Sequence, residues 1–347
     1  MPDKIQKYLP PEWVEQKFVQ LTWPHEDTDW AEMIDEVSAC FARIVVEISK
    51  REKVLIVCQN GNEVLNWIKK GNLKNITLFE TELNDTWARD HGGITVFENE
   101  RPVIYDFTFN GWGLKFAADF DNQITGQMYR NNIFPKTTGY RNCLNFILEG
   151  GSIESDGEGT LLTTAECLLS LNRNSLSKSK IEDRLIRYFG LKRVLWLNYG
   201  YLEGDDTDSH VDTLARFCSP QSIAYVKCDD EKDVHYEELK KMEEELVSFT
   251  TIEGNPYQLI PLPMADPVYV FEDRLPATYA NFLIINGAVL VPTYNSPKDE
   301  IAQNQLQMAF PDREIVGIDC TALIKQHGSL HCVTMQYPAS PLNPEGE

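Results

Sequence analysis

The segment Gly328-Ser329-Leu330-His331-Cys332-Val333-Thr334-Met335-Gln336-Tyr337-Pro338 sets a thiol between a turn and an apolar strand near the end of the chain. A lone cysteine in an apolar strand is usually a core residue. Cys332 differs because it directly follows a Gly-Ser-Leu-His turn. Cys332 is therefore our first candidate for a nucleophile. The segment around it is also the last of five similar units along the chain, and this repetition bears on the fold.

Five units of the chain share a polar motif, a turn and a short apolar strand, at spacings of roughly fifty to seventy residues. The units are 87–97, 148–163, 210–226, 279–292 and 330–338. Strand-like runs at 54–58, 103–107, 194–197, 258–262 and 315–319 lie between them, with helix-like runs at 29–49, 180–189 and 300–309. Five α/β units wrapped around an axis would point their inner strands at one central pocket, although strand–helix alternation alone does not require such symmetry.

The composition is that of a globular protein with a large core: 347 residues, of which 42% are hydrophobic and 24% charged. We find no apolar run of about 18 residues, the length that a membrane-spanning helix needs. Residues 1–11 lack the apolar core of a signal peptide, so we predict a cytoplasmic protein. Since no linker or compositional break divides the sequence, we expect a single domain over 1–347.

The net charge is −21, from 53 acidic and 32 basic residues. Nucleic acid and anionic membranes are poor partners for such a surface, whereas a small cation is a natural one. The eight scattered cysteines include no Cys-x-x-Cys pair, which indicates reduced core residues rather than disulfides or structural zinc. The acidic run 229–246 predicts a turn and an amphipathic helix with Leu239, Met242 and Leu246 on one side.

A thiol has a pKa of about 8.5 and attacks only as thiolate, so Cys332 needs a partner. We predict His210 for this role rather than His331, because His331 directly precedes Cys332 and, on a strand, would point to the opposite face. On a strand, the spacing of His210 and Asp212 would place both side chains on one side. Three earlier segments supply the polar groups: Trp87-Ala88-Arg89-Asp90-His91-Gly92-Gly93, Leu148-Glu149-Gly150-Gly151-Ser152-Ile153-Glu154 and Gly204-Asp205-Asp206-Thr207-Asp208-Ser209-His210-Val211-Asp212.

Asp90, Glu149 and Asp212 together would make a pocket with three carboxylates, which is costly unless a cation enters. The cation that best suits paired carboxylates is a planar guanidinium, whose N–H groups form bidentate hydrogen bonds. We therefore predict attack of the Cys332 thiolate on a guanidinium carbon. The histidine would protonate the departing ammonia and then take a proton from water, so that a covalent thiouronium is hydrolysed to a ureido product.

Five motifs, in this order, resemble those of the guanidino-group-modifying superfamily, specifically the agmatine deiminases and the bacterial peptidylarginine deiminase-like family. They are NDTWARDHG at 84–92, FNGWG at 109–113, EGGSI at 149–153, GDDTDSHVDTLARF at 204–217 and GSLHCVTMQ at 328–336. The resemblance covers nearly the whole chain. It implies the five-bladed, pseudo-symmetric α/β propeller known as the pentein fold, a homodimer or larger assembly, and no metal or organic cofactor.

The resemblance also implies a role for each matching position. Cys332 is the nucleophile, His210 the general acid and base, Asp90 and Asp212 the clamp for the guanidinium, and Glu149 a carboxylate that supports the histidine and the substrate. Each of these residues also has an ordinary structural interpretation, as core, turn or ion-pair residue.

Trp87 and Trp112 are ordinarily packing residues, but in these polar turns they are also candidates for walls that bind the substrate. We assign four other histidines to surface or structural positions: His25, His91, His235 and His327.

The substrate that the resemblance favours is agmatine, hydrolysed to N-carbamoylputrescine and ammonia in putrescine biosynthesis. Free arginine and peptidylarginine are alternatives on the same scaffold. Free arginine would need a cationic group to hold its carboxylate, and besides Arg216 the site motifs contain only Arg89. Agmatine needs an acidic or aromatic pocket for its tail, so the acidic composition favours it.

Two other classes of function compete with this one. His210, Asp212 and the distant His331 match the residue types of the two-histidine, one-carboxylate iron site of oxygenases, but this leaves the thiol and the other carboxylates without a role. A non-catalytic binding protein on the same propeller, similar to the ribosome anti-association factors, would not need the thiol, the histidine or the carboxylates. The acidic charge also argues against ribosomal RNA as a partner.

Overall fold

The computed structural model describes residues 5–340, which form an α/β structure. Among these residues, none of the helices has the length and apolar character needed to cross a bilayer. The strands are β1 (Lys7–Tyr8), β2 (Gln16–Thr22), β3 (Lys53–Cys58), β4 (Ile76–Glu80), β5 (Ile94–Glu98), β6 (Arg101–Thr108), β7 (Gly139–Ile147), β8 (Ile153–Ser155), β9 (Thr160–Thr164), β10 (Arg193–Leu197), β11 (Ala215–Ser219), β12 (Ser222–Lys227), β13 (Gln258–Pro263), β14 (Val268–Val270), β15 (Asp273–Leu275), β16 (Leu283–Ile285), β17 (Ala288–Thr293), β18 (Glu314–Asp319) and β19 (Thr334–Pro338).

Helices lie between these strands. They are α1 (Ile34–Ser49), α2 (Gly61–Trp67), α3 (Ala88–His91), α4 (Gly111–Leu114), α5 (Asp121–Arg130), α6 (Ala165–Leu168), α7 (Leu171–Asn174), α8 (Lys178–Phe189), α9 (Tyr236–Ser248) and α10 (Lys298–Ala309). Short 3₁₀ helices span Ala31–Met33, Leu73–Asn75, Gly150–Ser152, Val211–Thr213 and Leu323–Gln326.

Five sheets share one pairing pattern, in which two antiparallel strands are followed by a strand parallel to the second of them. These five blades are β5–β6–β7, β8–β9–β10, β11–β12–β13, β16–β17–β18 and β19–β2–β3. β1 extends the first blade, β4 extends the fifth, and β14 with β15 forms a separate hairpin. This is the five-bladed α/β propeller that the repeats suggested and the resemblance implied.

The fifth blade joins the N-terminal and C-terminal parts of the chain. β19 pairs antiparallel with β2, with Thr334 opposite Leu21. Most side chains of β2 and β3 are buried, as expected for strands covered on both faces. The turn that carries Cys332 directly precedes β19, so pairing with the N-terminal strand fixes its position.

The secondary structure expected from sequence is confirmed in its main elements. The five strand-like runs between the units lie within β3, β6, β10, β13 and β18, and the helix-like runs lie in α1, α8 and α10, the first being helical from Ala31 onward. In α9, Leu239, Met242 and Leu246 are buried, as the amphipathic pattern predicted. All eight cysteines are free and buried.

Four charged side chains and one amide from different blades meet in the interior. We call this group the central ionic cluster: Glu12, Arg89, Glu154, Arg216 and Gln336. The fully buried Arg216 binds both Glu154 and Glu12, and its Nη1 donates to the carbonyl oxygens of Ala280 (3.2 Å) and Phe282 (2.7 Å). Arg89 Nη1 donates to Glu12 Oε1 at 3.0 Å, and Gln336 Nε2 donates to Glu12 Oε2 at 3.0 Å.

The cluster connects all five blades, because its members come from their first strands or from the turns leading into them. Arg89 precedes the first blade, Glu154 is in the second, Arg216 is in the third and Gln336 is in the fifth. The fourth blade contributes the carbonyl oxygen of Phe282, just before β16, which accepts a hydrogen bond from Arg216. Removing one partner of a buried ion pair leaves an uncompensated charge, so each member depends on the others.

Arg216→Met should therefore destabilise the protein by about 3–5 kcal/mol, because Glu12 and Glu154 lose the guanidinium that pairs with both. Urea unfolding followed by circular dichroism measures the change. Lys227→Met is the matched control, since Lys227 forms only partly exposed ion pairs with Asp229 and Glu243, and its loss should cost about 0–1 kcal/mol. Equal stability of the two variants would contradict a structural role for the cluster.

Candidate active site

The nucleophile candidate lies in a turn held by an asparagine. Cys332 is 5% exposed, and its neighbour His331 donates a backbone N–H to Asn281 Oδ1 at 2.8 Å. The same oxygen accepts weaker hydrogen bonds from the N–H of Cys332 at 3.3 Å and from its Sγ at 3.4 Å. Arg89 N–H donates to the Cys332 carbonyl oxygen at 3.1 Å. Two other blades thus fix the turn around the thiol.

Asn281 is a site residue that the sequence reasoning did not identify. It lies in the fourth repeat unit, 279–292, which was recognised as a unit but assigned no site residue. The polar segments of the other units carry every predicted site residue except Trp112, so the repeat itself was the signal that pointed to this segment.

Asp90 is at the end of a one-turn helix, α3, and is 4% exposed. Its Oδ1 accepts a hydrogen bond from the backbone N–H of Gly151 at 3.1 Å, and its Oδ2 accepts one from Trp112 Nε1 at 2.9 Å. His210 Nδ1 lies 3.6 Å from Oδ1. The carboxylate is therefore fixed by neutral donors and lies beside the predicted acid–base residue.

Trp112 reaches Asp90 from a strained turn. Four consecutive residues have positive φ: Gly111 (65°), Trp112 (53°), Gly113 (87°) and Leu114 (68°). For residues with a Cβ this conformation costs roughly 1–2 kcal/mol each, and such strain is concentrated at functional sites. Trp112 thus donates a hydrogen bond to Asp90 and also lines the pocket. Trp87 also lines the pocket, but its Nε1 donates to Asp85 Oδ2 at 3.0 Å.

One prediction about local structure is wrong: His210 and Asp212 are not on a strand. Asp208 and Ser209 have positive φ values of 65° and 62°, and this turn leads through His210 into the 3₁₀ helix Val211–Thr213. The two side chains nevertheless converge. A Cβ placed on Gly151 would lie 2.7 Å from His210 Nδ1, 2.9 Å from Asp90 Oδ1 and 3.1 Å from Asp212 Oδ2.

The site also lacks the direct thiol–imidazole hydrogen bond that we expected between Cys332 and His210. His210 is 1% exposed, and within residues 5–340 neither of its ring nitrogens has a nitrogen or oxygen hydrogen-bond partner; the ring lies beside the Cys167 thiol. The strained turn directs the ring to Asp90 and Gly151 instead. His210 is therefore placed to exchange protons with a bound molecule rather than with the resting thiol.

Glu149 is fully buried beside His210, and an arginine that the sequence reasoning did not identify neutralises it. Arg173 Nε lies 2.9 Å and 3.1 Å from the two Glu149 oxygens. The same guanidinium donates to Asp208 Oδ2 at 2.5 Å and to the Thr207 carbonyl oxygen at 2.8 Å. Arg173 thereby also holds the turn before His210. It belongs to none of the five motifs, so no sequence signal indicated it.

Burial and like charges shift the pKa values of the site residues. Burial raises the pKa of Asp90 to about 6; His210 opposes this shift and Asp212 adds to it. Burial alone would lower the pKa of His210, but Asp90, Cys167 and Glu149 more than offset it and hold it well above its ordinary value. Burial, followed by the charges of Asp212 and Asp90, holds the pKa of Cys332 well above that of a free thiol. Without a bound cation, the resting site therefore keeps Cys332 as a thiol.

The pocket in front of Cys332 has a volume of about 120 Å³ and an acidic, aromatic lining. Its lining includes Asp29, Asp85 and Asp206, and none of its described lining residues is lysine or arginine. His327, which we had assigned to a surface or structural position, also lines it, with Nδ1 2.7 Å from the Gly204 carbonyl oxygen. The remaining lining residues are Trp87, Asp90, Trp112, Phe116, Thr207, Gln326 and Gly328.

Two groups of side chains in the described part of the chain have donors close enough to share a metal ion: Glu149, Cys167 and His210, and Glu12, Glu154 and His331. In the first, Arg173 already binds the carboxylate; in the second, Arg216 binds both carboxylates. A guanidinium thus already supplies the positive charge in each group. The proposed iron ligands His210, Asp212 and His331 do not form such a group within residues 5–340.

The blade topology is that of the pentein class of α/β propellers. The family model of the Porphyromonas-type peptidyl-arginine deiminases matches residues 8–338. The chain belongs to this family.

Three relatives illustrate the range of the family. A Shewanella baltica protein, described provisionally as an agmatine deiminase, is 34% identical over 356 residues, covering 96% of this chain and 94% of its own. A Porphyromonas gingivalis structure, described provisionally as an arginine deiminase, is 53% identical with a TM-score of 0.93, and the match covers 96% of this chain and 99% of the other. A cysteine-to-serine variant of C. jejuni agmatine deiminase with substrate bound is 40% identical, with a TM-score of 0.91 and 98% of both chains covered.

The hydrogen bond from Trp112 favours the ionised form of Asp90, so Trp112→Phe should raise the pKa of Asp90 above its value of about 6. Because a guanidinium binds the ionised carboxylate, kcat/KM should fall as pH drops through this pKa, and the acid limb should move about one unit higher in the variant. A pH series of initial rates measures the shift. In Trp87→Phe the acid limb of the pH–rate profile should not move, because the Trp87 indole donates to Asp85 and not to Asp90. Equal shifts in the two variants would contradict the assignment of the acid limb to Asp90.

Proposed function

We propose that this protein is an agmatine deiminase, which hydrolyses the guanidinium of agmatine to N-carbamoylputrescine and ammonia. The observation that carries the proposal is that Cys332 and Asp90 line one acidic pocket, while the charges of Asp212 and Asp90 act on the thiol. A cationic guanidino group with a second cation at its far end suits this distribution of charge. In this proposal Cys332 is the nucleophile, His210 the general acid and base, Asp90 and Asp212 the clamp for the guanidinium, and Glu149 the supporting carboxylate. Trp87 and Trp112 are walls of the pocket.

Binding of the cation would also generate the nucleophile. The ionised Asp90 and Asp212 disfavour a neighbouring thiolate, and a guanidinium paired with both would remove that effect. The Cys332 proton can then leave the site, and the thiolate attacks the central guanidinium carbon. The clamp therefore couples substrate binding to thiol activation, so that Cys332 needs no permanent contact with His210.

His210 would perform the proton transfers. With its pKa held above the ordinary value, it is protonated at neutral pH and can donate a proton to the departing nitrogen. The carbon–nitrogen bond breaks, ammonia leaves, and a thiouronium remains on Cys332. Neutral His210 then takes a proton from water as its oxygen attacks this carbon. The carbon–sulphur bond then breaks and the hydroxyl proton of the adduct passes to the departing sulphur, which releases the ureido product and restores the Cys332 thiol.

The far end of the pocket favours agmatine over free arginine. Asp206 is half-buried and lines the pocket. Lys115 binds the backbone carbonyl of Asp206 and the carboxylate of Asp208, and leaves the Asp206 carboxylate to other partners. The two arginines of the site motifs, Arg89 and Arg216, belong to the central ionic cluster and are not available to hold a substrate carboxylate. An ammonium tail would meet negative charge, whereas the α-carboxylate of arginine would be repelled.

Ammonia release with chelator present, measured with agmatine, free arginine and a blocked arginyl peptide, tests this proposal. Agmatine should be turned over at least tenfold faster than arginine, and Cys332→Ala should abolish the activity. Asp206→Asn should raise KM for agmatine more than for arginine, because the agmatine tail has a net positive charge whereas the α-ammonium of arginine is offset by its α-carboxylate. Preferred turnover of the peptide would move the assignment to protein citrullination, and preferred turnover of arginine to an arginine deiminase. Full activity of Cys332→Ala would contradict the mechanism.

A further inference from the structure

His331 links the active site to the central ionic cluster. It directly precedes the nucleophile, is completely buried, and turns its ring away from the thiol. Its Nδ1 lies 2.7 Å from Asp212 Oδ2, and its Nε2 lies 2.8 Å from Glu12 Oε1 and 3.1 Å from Arg216 Nη2.

The surroundings of the ring place a proton on Nδ1. Asp212 Oδ2, 2.7 Å away, can only accept a hydrogen bond, so Nδ1 is the donor of this pair. Nε2 lies between an acceptor, Glu12 Oε1, and a donor, Arg216 Nη2. Burial, followed by the charges of Arg216 and Arg89, lowers the pKa of His331. Nδ1–H then donates to Asp212 Oδ2, and Glu12 is neutralised by Arg89 and Arg216.

The two oxygens of Asp212 are thereby made different. Oδ2 is occupied by His331, whereas Oδ1 is buried and has no hydrogen-bond partner within residues 5–340. A buried carboxylate oxygen without a donor is costly, which marks it as an oxygen that a bound group satisfies. Without the contact to Nδ1, the carboxylate could rotate about its terminal torsion, which is only weakly restricted.

We propose that His331 is a positioning residue, which holds Asp212 through Nδ1–H so that the other carboxylate oxygen stays free for the guanidinium. The inference rests on the proposed function for the identity of the group that binds there. It makes Glu12 and Arg216 part of the support of the site, because they fix the ring that fixes the clamp.

Two isosteric substitutions separate this role from a structural one. In His331→Asn the amide nitrogen can take the place of Nδ1 and donate to Asp212, while the contacts of Nε2 are lost. In His331→Gln the longer amide can reach the position of Nε2 and contact Glu12 or Arg216, while the donor to Asp212 is lost. If positioning of Asp212 matters, the asparagine variant rescues function; if packing of the ionic cluster matters, the glutamine variant does.

The first readout is the rate of covalent labelling of Cys332 by 2-chloroacetamidine relative to the neutral 2-chloroacetamide, followed by mass spectrometry of the peptide that contains it. Only the amidinium can pair with the clamp, so this ratio reports the clamp without requiring turnover or knowledge of the substrate. We expect the ratio to fall roughly 10- to 100-fold in His331→Gln, since a hydrogen bond to a charged group is at stake. We expect it to stay within about threefold of wild type in His331→Asn.

The second readout is steady-state kinetics with agmatine, where His331→Gln should raise KM and lower kcat/KM more than His331→Asn does. The proposal is overturned if the two variants have equal labelling ratios, or if glutamine preserves the ratio better than asparagine. A different result would overturn the proposed function alone: Cys332 of the wild type is labelled faster by the amidinium reagent than by the neutral one, but the protein releases no ammonia from any guanidino substrate. A wild type without amidinium preference would overturn the clamp and this inference together.

Discussion

The pairing of Glu12 with Arg89 and Arg216 is the interaction on which the rest of the structure depends. Two guanidinium groups and two carboxylates are taken out of water where the five blades meet, an arrangement that is stable only if each charge keeps its partners. Glu12 lies just before β2, the middle strand of the fifth blade, whereas Arg89 and Arg216 come from the first and third blades. Closure of the propeller and burial of these charges therefore form one cooperative event.

The catalytic turn is built directly on this cluster. Cys332 follows His331, whose ring contacts Glu12 and Arg216 on one side and Asp212 on the other. The strained turns at Gly111–Leu114 and Asp208–Ser209 bring Trp112 and His210 to the same centre. Strain of this kind persists only where the surrounding structure determines the conformation, and the ionic cluster with the Arg173–Glu149 pair supplies that rigidity here.

The repeated polar motifs and short apolar strands suggested a propeller, and the resemblance of the five motifs to a known superfamily implied it. Those motifs also contain Asp90, His210 and Asp212, which converge around Gly151. What it could not predict depends on contacts between blades. Arg173, Asn281 and Glu12 act through partners more than 20 residues away in sequence. The strand assumed for His210 and Asp212 failed because two residues with positive φ precede them, at Asp208 and Ser209, where the expected alternation of side chains cannot apply.

The central claim is that Cys332 forms a covalent thiouronium with a guanidino substrate. Rapid acid quenching of the enzyme during turnover of agmatine, followed by peptide mapping, tests it most directly. We predict an adduct with the mass of agmatine minus ammonia, confined to the peptide that contains Cys332 and absent when the quench precedes substrate addition. Ammonia release with an adduct on a different residue would contradict the account.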